Sequence, residues 1–114
     1  MNIHTIEAVL AEIEKERKKY LEFVRVADLS VGVYRLRAGD RDEQKPHTED
    51  EVYYVIRGRG KFWCAGEVRD VKPGAVLFVE RGVEHRFIEI VEELVVLVMF
   101  GPAEGAGPAA ADNQ

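Results

Sequence analysis

From Tyr20 onward the chain is a succession of short apolar segments with no helical pattern between them: "LEFVRV", "DLSVGVYRL", "EVYYVIRG", "GKFWCAG", "EVRDV", "AVLFVE", "EHRFIEI" and "ELVVLVMF". Each is rich in Val, Ile, Phe or Tyr, which suit a pleated, half-buried surface, and Gly, Pro or charged turns separate them. Parallel strands would need long crossover connections, so these segments predict eight or so antiparallel strands in a sandwich or barrel. A chain of 114 residues, 46% of them apolar, is the size of one all-β domain with a single core.

Two segments fall outside that pattern. Between Thr5 and about Tyr20, the apolar residues Ile6, Val9, Leu10, Ile13, Tyr20 and Leu21 recur at helical spacings, with Thr5 placed to cap the first turn. The basic run Lys15 to Lys19 lies toward the C-terminal end, where it complements the helix dipole. An amphipathic helix is therefore expected, with its apolar stripe packed on the domain or on a partner subunit. At the other end, "GPAEGAGPAAADNQ" has glycines, prolines and no periodic apolar face, so disorder and tolerance of truncation are expected from about Pro102. The expected organisation is a helix packed on the barrel over 1–22, the barrel itself over 23–101, and a disordered tail over 102–114.

Charge and cysteine content remove several functions. Sixteen basic against 21 acidic residues give a net charge of −5, which opposes phosphate-backbone binding, so no nucleic-acid partner is expected. Cys64 is the only cysteine, which precludes an intramolecular disulfide and a multi-cysteine zinc site. It reads as a small buried hydrophobe. The charge-dense opening "AEIEKERKK" is unlike a signal peptide, and "LVVLVMF" is far shorter than the ~20 residues of a spanning helix. A cytoplasmic protein without membrane contact is expected. Glycine-rich phosphate loops, nucleophile elbows and dinucleotide fingerprints are absent from the sequence.

The chemistry must then come from scattered side chains, and the three histidines are informative. His4 precedes the helix and reads as a surface residue, whereas His47 and His85 each follow a turn signal ("KP", "RGVE") and open an apolar strand. Those are positions from which a barrel presents side chains at its mouth. Gly39, Lys45, His47, Glu51 and Gly58 stand at intervals of five, one, three and six intervening residues. Gly74, Glu80, Gly82, His85 and Glu89 stand at intervals of five, one, two and three.

These two segments resemble, spacing for spacing, the two motifs of the cupin superfamily, and the resemblance covers about Leu29 to Phe100. It implies a cupin-type antiparallel jelly-roll barrel in which motif histidines and a glutamate hold one divalent metal ion. Three positions depart from the motifs: Lys45 stands where the first histidine would be, Glu80 where proline would be, and Glu89 where asparagine would be. A lysine ammonium repels a divalent ion, so the implied ligands reduce to His47, Glu51 and His85. Gln44 becomes a fourth ligand if the loop turns its amide oxygen inward. Two imidazoles and a carboxylate on one face of an ion match the ligands of non-haem iron oxygenases, yet also accept Mn, Co, Ni, Cu or Zn.

Around this set, Tyr53 shares a strand face with Glu51 by period two and is either a pocket residue or a core aromatic. Trp63 and Cys64 point to opposite faces, so one of them could line the cavity. Glu49 and Asp50 read as solvated acids. Arg35, Arg57 and Arg86 are either holders of an anionic substrate or exposed strand residues. Fold alone does not choose a function. The leading expectation is a metal-dependent, dioxygenase-like enzyme acting on a small molecule, with Glu51 as ligand or alternatively as base. The alternative is a non-catalytic cupin barrel that binds a small ligand or serves a regulatory role. A homodimer is expected in either case.

Overall fold

A computed structural model describes residues 1–105, and the following account concerns those residues. Helix α1 spans Ile6–Glu16, and six strands follow: β1 Tyr20–Val26, β2 Leu29–Leu36, β3 Asp50–Cys64, β4 Glu67–Val71, β5 Val76–Val79 and β6 His85–Gly101. Every strand pairing is antiparallel. The sheet runs β1-β2-β6-β3-β4, with β5 also on β3, giving a jelly-roll barrel.

Helix α1 begins as expected: the Thr5 hydroxyl accepts the Ala8 N–H at 3.2 Å. It ends earlier than the periodicity suggests. Arg17 turns into the left-handed region (φ 56), and the N–H groups of Arg17 and Lys18 close back onto Glu14 and Ile13. Tyr20 and Leu21, which continue the apolar spacing of the helix, instead open β1 and pair with Tyr34 and Val33. Pairing along a whole strand outweighs one more helical turn.

Six strands replace the expected eight because two apparent breaks are bulges inside long strands. β3 runs through "RGRG", where its pairing with β6 shifts register around Arg57 and Arg59. Gly58 has φ +99, and a Cβ there would collide with the Glu93 carbonyl on β6. The glycine thus permits a bend and a close backbone approach rather than ending the strand. In β6 the corresponding kink is at Glu89, which has φ 46. Left-handed geometry favours asparagine, the residue of the resembled motif at this position.

Alternation along the bent sheet creates two cores. Tyr53, Val55, Leu94, Val96, Val98 and Phe100 face inward among others in the barrel. On the outer face, Val9 and Ile13 of α1 cover Val33 and Val95. The chain after β6 departs from the disorder expected from 102. Ala103 is 1% exposed, and its N–H donates to the Ala27 carbonyl at 3.3 Å. The Glu104 N–H donates to Ser30 Oγ (2.9 Å), and the Gly105 N–H donates to Glu49 Oε2 (3.2 Å). Residues 102–105 need no periodic apolar face because partners in the β1–β2 turn, on β2 and at the β3 entry accept the N–H groups of 103–105. The remainder of the expected tail, 106–114, lies outside the described residues.

Candidate metal centre

His47 comes from the loop that leads into β3, Glu51 from the second position of β3, and His85 from the first position of β6. Strand alternation turns Glu51 inward with Tyr53, while the adjacent Val52 and Tyr54 face outward. The turn before β6 is fastened to the first motif: the Gly82 N–H donates to the His47 carbonyl at 2.7 Å. The folding of two distant segments thus converges on one point. Ligand-capable atoms of His47, Glu51 and His85 all lie within 4.8 Å of one another. The His47 and His85 rings are 5.4 Å apart, and the Glu51 and His85 side chains are each 1% exposed.

Hydrogen positions within this set follow from the neighbours. His85 Nδ1 is 2.8 Å from the Val83 carbonyl, which can only accept, so Nδ1 carries a hydrogen. Nε2 then faces Glu51 Oε1 at 3.1 Å. Both Glu51 oxygens are buried without a hydrogen bond. A carboxylate in that position calls for a cation, either a proton on the imidazole or a metal ion. Burial lowers the pKa of His85, but the Glu51 and Val83 oxygens more than offset it, so the net shift is upward. Burial pushes His47 downward and outweighs the pull of Glu51, which favours a neutral imidazole with a free lone pair. Two neutral imidazoles, or one that exchanges its proton for an ion, and an unsatisfied carboxylate are a donor set that fits a divalent metal.

Gln44 turns inward and Lys45 is exposed. Gln44 Oε1 lies 3.2 Å from His47 Nε2 and accepts from the Tyr53 hydroxyl at 2.8 Å. Its amide nitrogen donates to Asp42 Oδ2 at 2.6 Å, which fixes which end of the amide faces the histidine. Asp42 also accepts from Tyr34 and from the Phe87 N–H, both at 2.7 Å, so this buried carboxylate is fully used. Burial and the nearby Glu51 raise the Tyr53 hydroxyl well above its ordinary value, so it stays a donor. Tyr53 Oη is also 3.1 Å from His85 Nε2.

A cavity of about 190 Å³ opens in front of these residues, with Tyr20, Tyr34, Val98 and Phe100 in its wall and Glu104 at its edge. Glu104 Oε2 stands 3.6 Å from His47 Nδ1. Burial, with Glu49 and Glu51 nearby, raises the Glu104 carboxyl. Tyr20, Asp42 and Glu104 carry no signal in the motif spacing, because strand pairing and chain return place them. Glu49, expected as a solvated acid, is 2% exposed and accepts from Thr48 and Gly105. Asp50 pairs with Arg81 at 3.2 Å. Arg35 pairs with Glu14, Arg86 sits 5.0 Å above the Trp63 ring, and Arg57 is exposed, so none of the three enters the cavity. Neither Trp63 nor Cys64 lines it. Cys64 packs at the edge of the barrel core, where burial raises its thiol pKa. His4 lies at the surface against Phe23, 4.9 Å between ring centres.

The fold has many relatives in the solved structures. An RmlC-like cupin from Shewanella frigidimarina superposes with a TM-score of 0.68 at 19% identity, covering 74% of this chain and 75% of that one. The salicylate 1,2-dioxygenase of Pseudaminobacter salicylatoxidans gives 0.70 at 19% identity, covering 82% of this chain but 32% of that larger protein. In sequence, an uncharacterized protein of Streptomyces coelicolor is 46% identical over 99 residues, spanning 83% of this chain and 94% of that one. Residues 32–101 match the Cupin domain family, and they contain the jelly-roll core together with His47, Glu51 and His85. The chain therefore belongs to the Cupin domain family.

Proposed function

We propose that this cupin is a metal-dependent, dioxygenase-like enzyme acting on a small molecule, with one divalent ion held by His47, Glu51 and His85. The observation that carries the proposal is the Glu51 carboxylate, whose two buried oxygens lack partners beside two converging imidazoles. Gln44 is the fourth donor, its oxygen steered by the Tyr53 hydroxyl and the Asp42 carboxylate. This assigns the vacancy left by Lys45 to the preceding residue. The ion, one of Fe, Mn, Co, Ni, Cu or Zn, would supply a Lewis acid or a redox centre. The protein supplies orientation: the Val83 carbonyl fixes the His85 tautomer, and aromatic side chains form much of the wall in front of the candidate ligands.

Elemental analysis after loading and dialysis tests the reading. Wild type should retain one ion per chain, and His47→Ala or His85→Ala should lose it while remaining folded by circular dichroism. Full occupancy in both variants would overturn the assignment. We further propose a homodimer, supported by outward-facing Tyr54, Val76 and Phe78 on β3 and β5. A cytoplasmic location is proposed on the single unpaired cysteine. Among the described residues, no helix is long and apolar enough to cross a membrane.

A further inference from the structure

Among the described residues, no lysine or arginine lines the cavity in front of the candidate ligands. The basic residues nearest it are engaged elsewhere: Arg25 donates to Glu22 and to the Glu104 carbonyl, Arg81 pairs with Asp50, and Lys45 is exposed. Negative groups are concentrated instead. Glu51 and Glu104 line the cavity, and Asp42 and Glu49 are buried behind the residues that form it. A divalent ion on the two imidazoles and Glu51 adds two positive charges against these four carboxyl groups. As a carboxylate, Glu104 repels an anion.

Two further groups specify what the occupant must offer. The Tyr20 hydroxyl is buried without a hydrogen-bond partner. It lies over Gly32, where any Cβ would collide with it, so the fold keeps this space for the phenol. Across the same cavity, Glu104 is held by its backbone to Ser30 and Arg25. At 3.6 Å from His47 Nδ1 its carboxylate is beyond a normal hydrogen bond and keeps acceptor capacity. Beyond the candidate ligands and Gln44, the rest of the wall is Tyr34, Tyr53, Val98 and Phe100. About 190 Å³ is below the ~300–1,000 Å³ of pockets that take drug-sized ligands.

We infer that this cavity selects an uncharged small molecule carrying a hydrogen-bond donor for Glu104 and an acceptor for Tyr20, and rejects carboxylates and phosphates of similar shape. The inference rests on the reading of the cavity as a small-molecule site, but not on which ion is bound. An anion entering the metal-free cavity would lose its hydration without gaining a cationic partner from the wall, which costs more than any apolar contact in so small a space returns.

Benzamide and benzoate share a shape and differ in charge, so their dissociation constants for the full chain in its metal-free form, where no ion can ligate the carboxylate, are the test. Benzamide should bind at least about tenfold tighter than benzoate. Glu104→Gln removes the charge at constant shape and should narrow that ratio by about fivefold or more, while Tyr20→Phe should weaken benzamide by about fivefold, the loss of one hydrogen bond. Benzoate binding as tightly as benzamide, a ratio indifferent to Glu104→Gln, or failure of both probes to perturb the cavity residues by NMR would overturn the inference. Zinc retained with benzoate preferred would sink the inference and leave the metal reading standing. No zinc uptake with the benzamide preference intact would do the reverse.

Discussion

Glu51 and His85 form a contact that changes character with pH. Below the raised pKa of His85, Nε2 holds a proton and the imidazolium charge faces Glu51; above it, two lone pairs face each other at 3.1 Å. The folded-state pKa lies above the ordinary 6.5, so the pair's stabilisation is fully present below that value and fades as pH rises through the folded pKa. In the proposed metal-bound form a divalent ion would take the place of that proton. The rise in melting temperature on adding zinc should therefore grow as pH increases through the same window. Glu51→Gln should flatten both the pH dependence and the zinc response; a zinc shift equal at all pH values would argue against this exchange. The set His47, Glu51 and His85 was legible in the sequence because the two segments resemble the cupin motifs, which imply that these residues converge inside the barrel. Glu104 and Tyr20 were not, because only the tertiary return of the chain brings them to the same cavity. Burial of Glu49 depended likewise on a Gly105 N–H that no local pattern announces.

At the scale of the element, glycine had two readings, and the sequence could not separate them. A glycine between two apolar runs marks either a turn or a bulge, and Gly58 is a bulge because β6 continues opposite it. Gly58→Ala should cost at least about 2 kcal/mol, combining left-handed strain with contact against the Glu93 backbone. Chemical denaturation measures it; a loss below about 0.5 kcal/mol, the range of ordinary surface substitutions, would mean the strands can separate there without penalty. The strap 102–105 offers a paired experiment. Ending the chain after Gly105 should leave stability unchanged, whereas ending it after Gly101 removes the backbone bonds to Ala27, Ser30 and Glu49 and should cost about 2–3 kcal/mol. Equal stability of the two truncations would restore the expectation of a dispensable tail. The overrun of the helix pattern into β1 has a similar origin: Tyr20 and Leu21 satisfy both periodicities, and pairing with β2 decides between them.

The whole molecule has an unevenly covered outer face. Strand pairing sets Val33, Leu97, Tyr54 and Val76 in one row across β2, β6, β3 and β5, and Val31, Met99, Val52 and Phe78 in the next. Helix α1 covers the Val33 end. At the other end Val76 and Phe78 are 66% and 65% exposed, continuous with the half-buried Val52 and Met99. An apolar surface of this kind, extending a helix-covered core, is what a second copy would cover through a two-fold contact. The free edge is a poorer candidate. β1 carries a bulge between Glu22 and Val24 and a Glu22–Arg25 ion pair, features that discourage edge-to-edge pairing. Phe78→Glu should therefore convert the proposed dimer to monomer at micromolar concentration, because a charge placed at the centre of an apolar contact loses its water without a partner. Glu22→Ala should leave the assembly state unchanged. Light scattering on the two variants decides between face and edge, and a wild type with the mass of one chain at every concentration tested would refute the dimer. The candidate ligands lie inside the barrel, on the opposite side of β3 from Phe78 and its neighbours. Phe78→Glu should consequently keep its zinc content even as a monomer; loss of zinc on dissociation would show that the second copy helps to form the site.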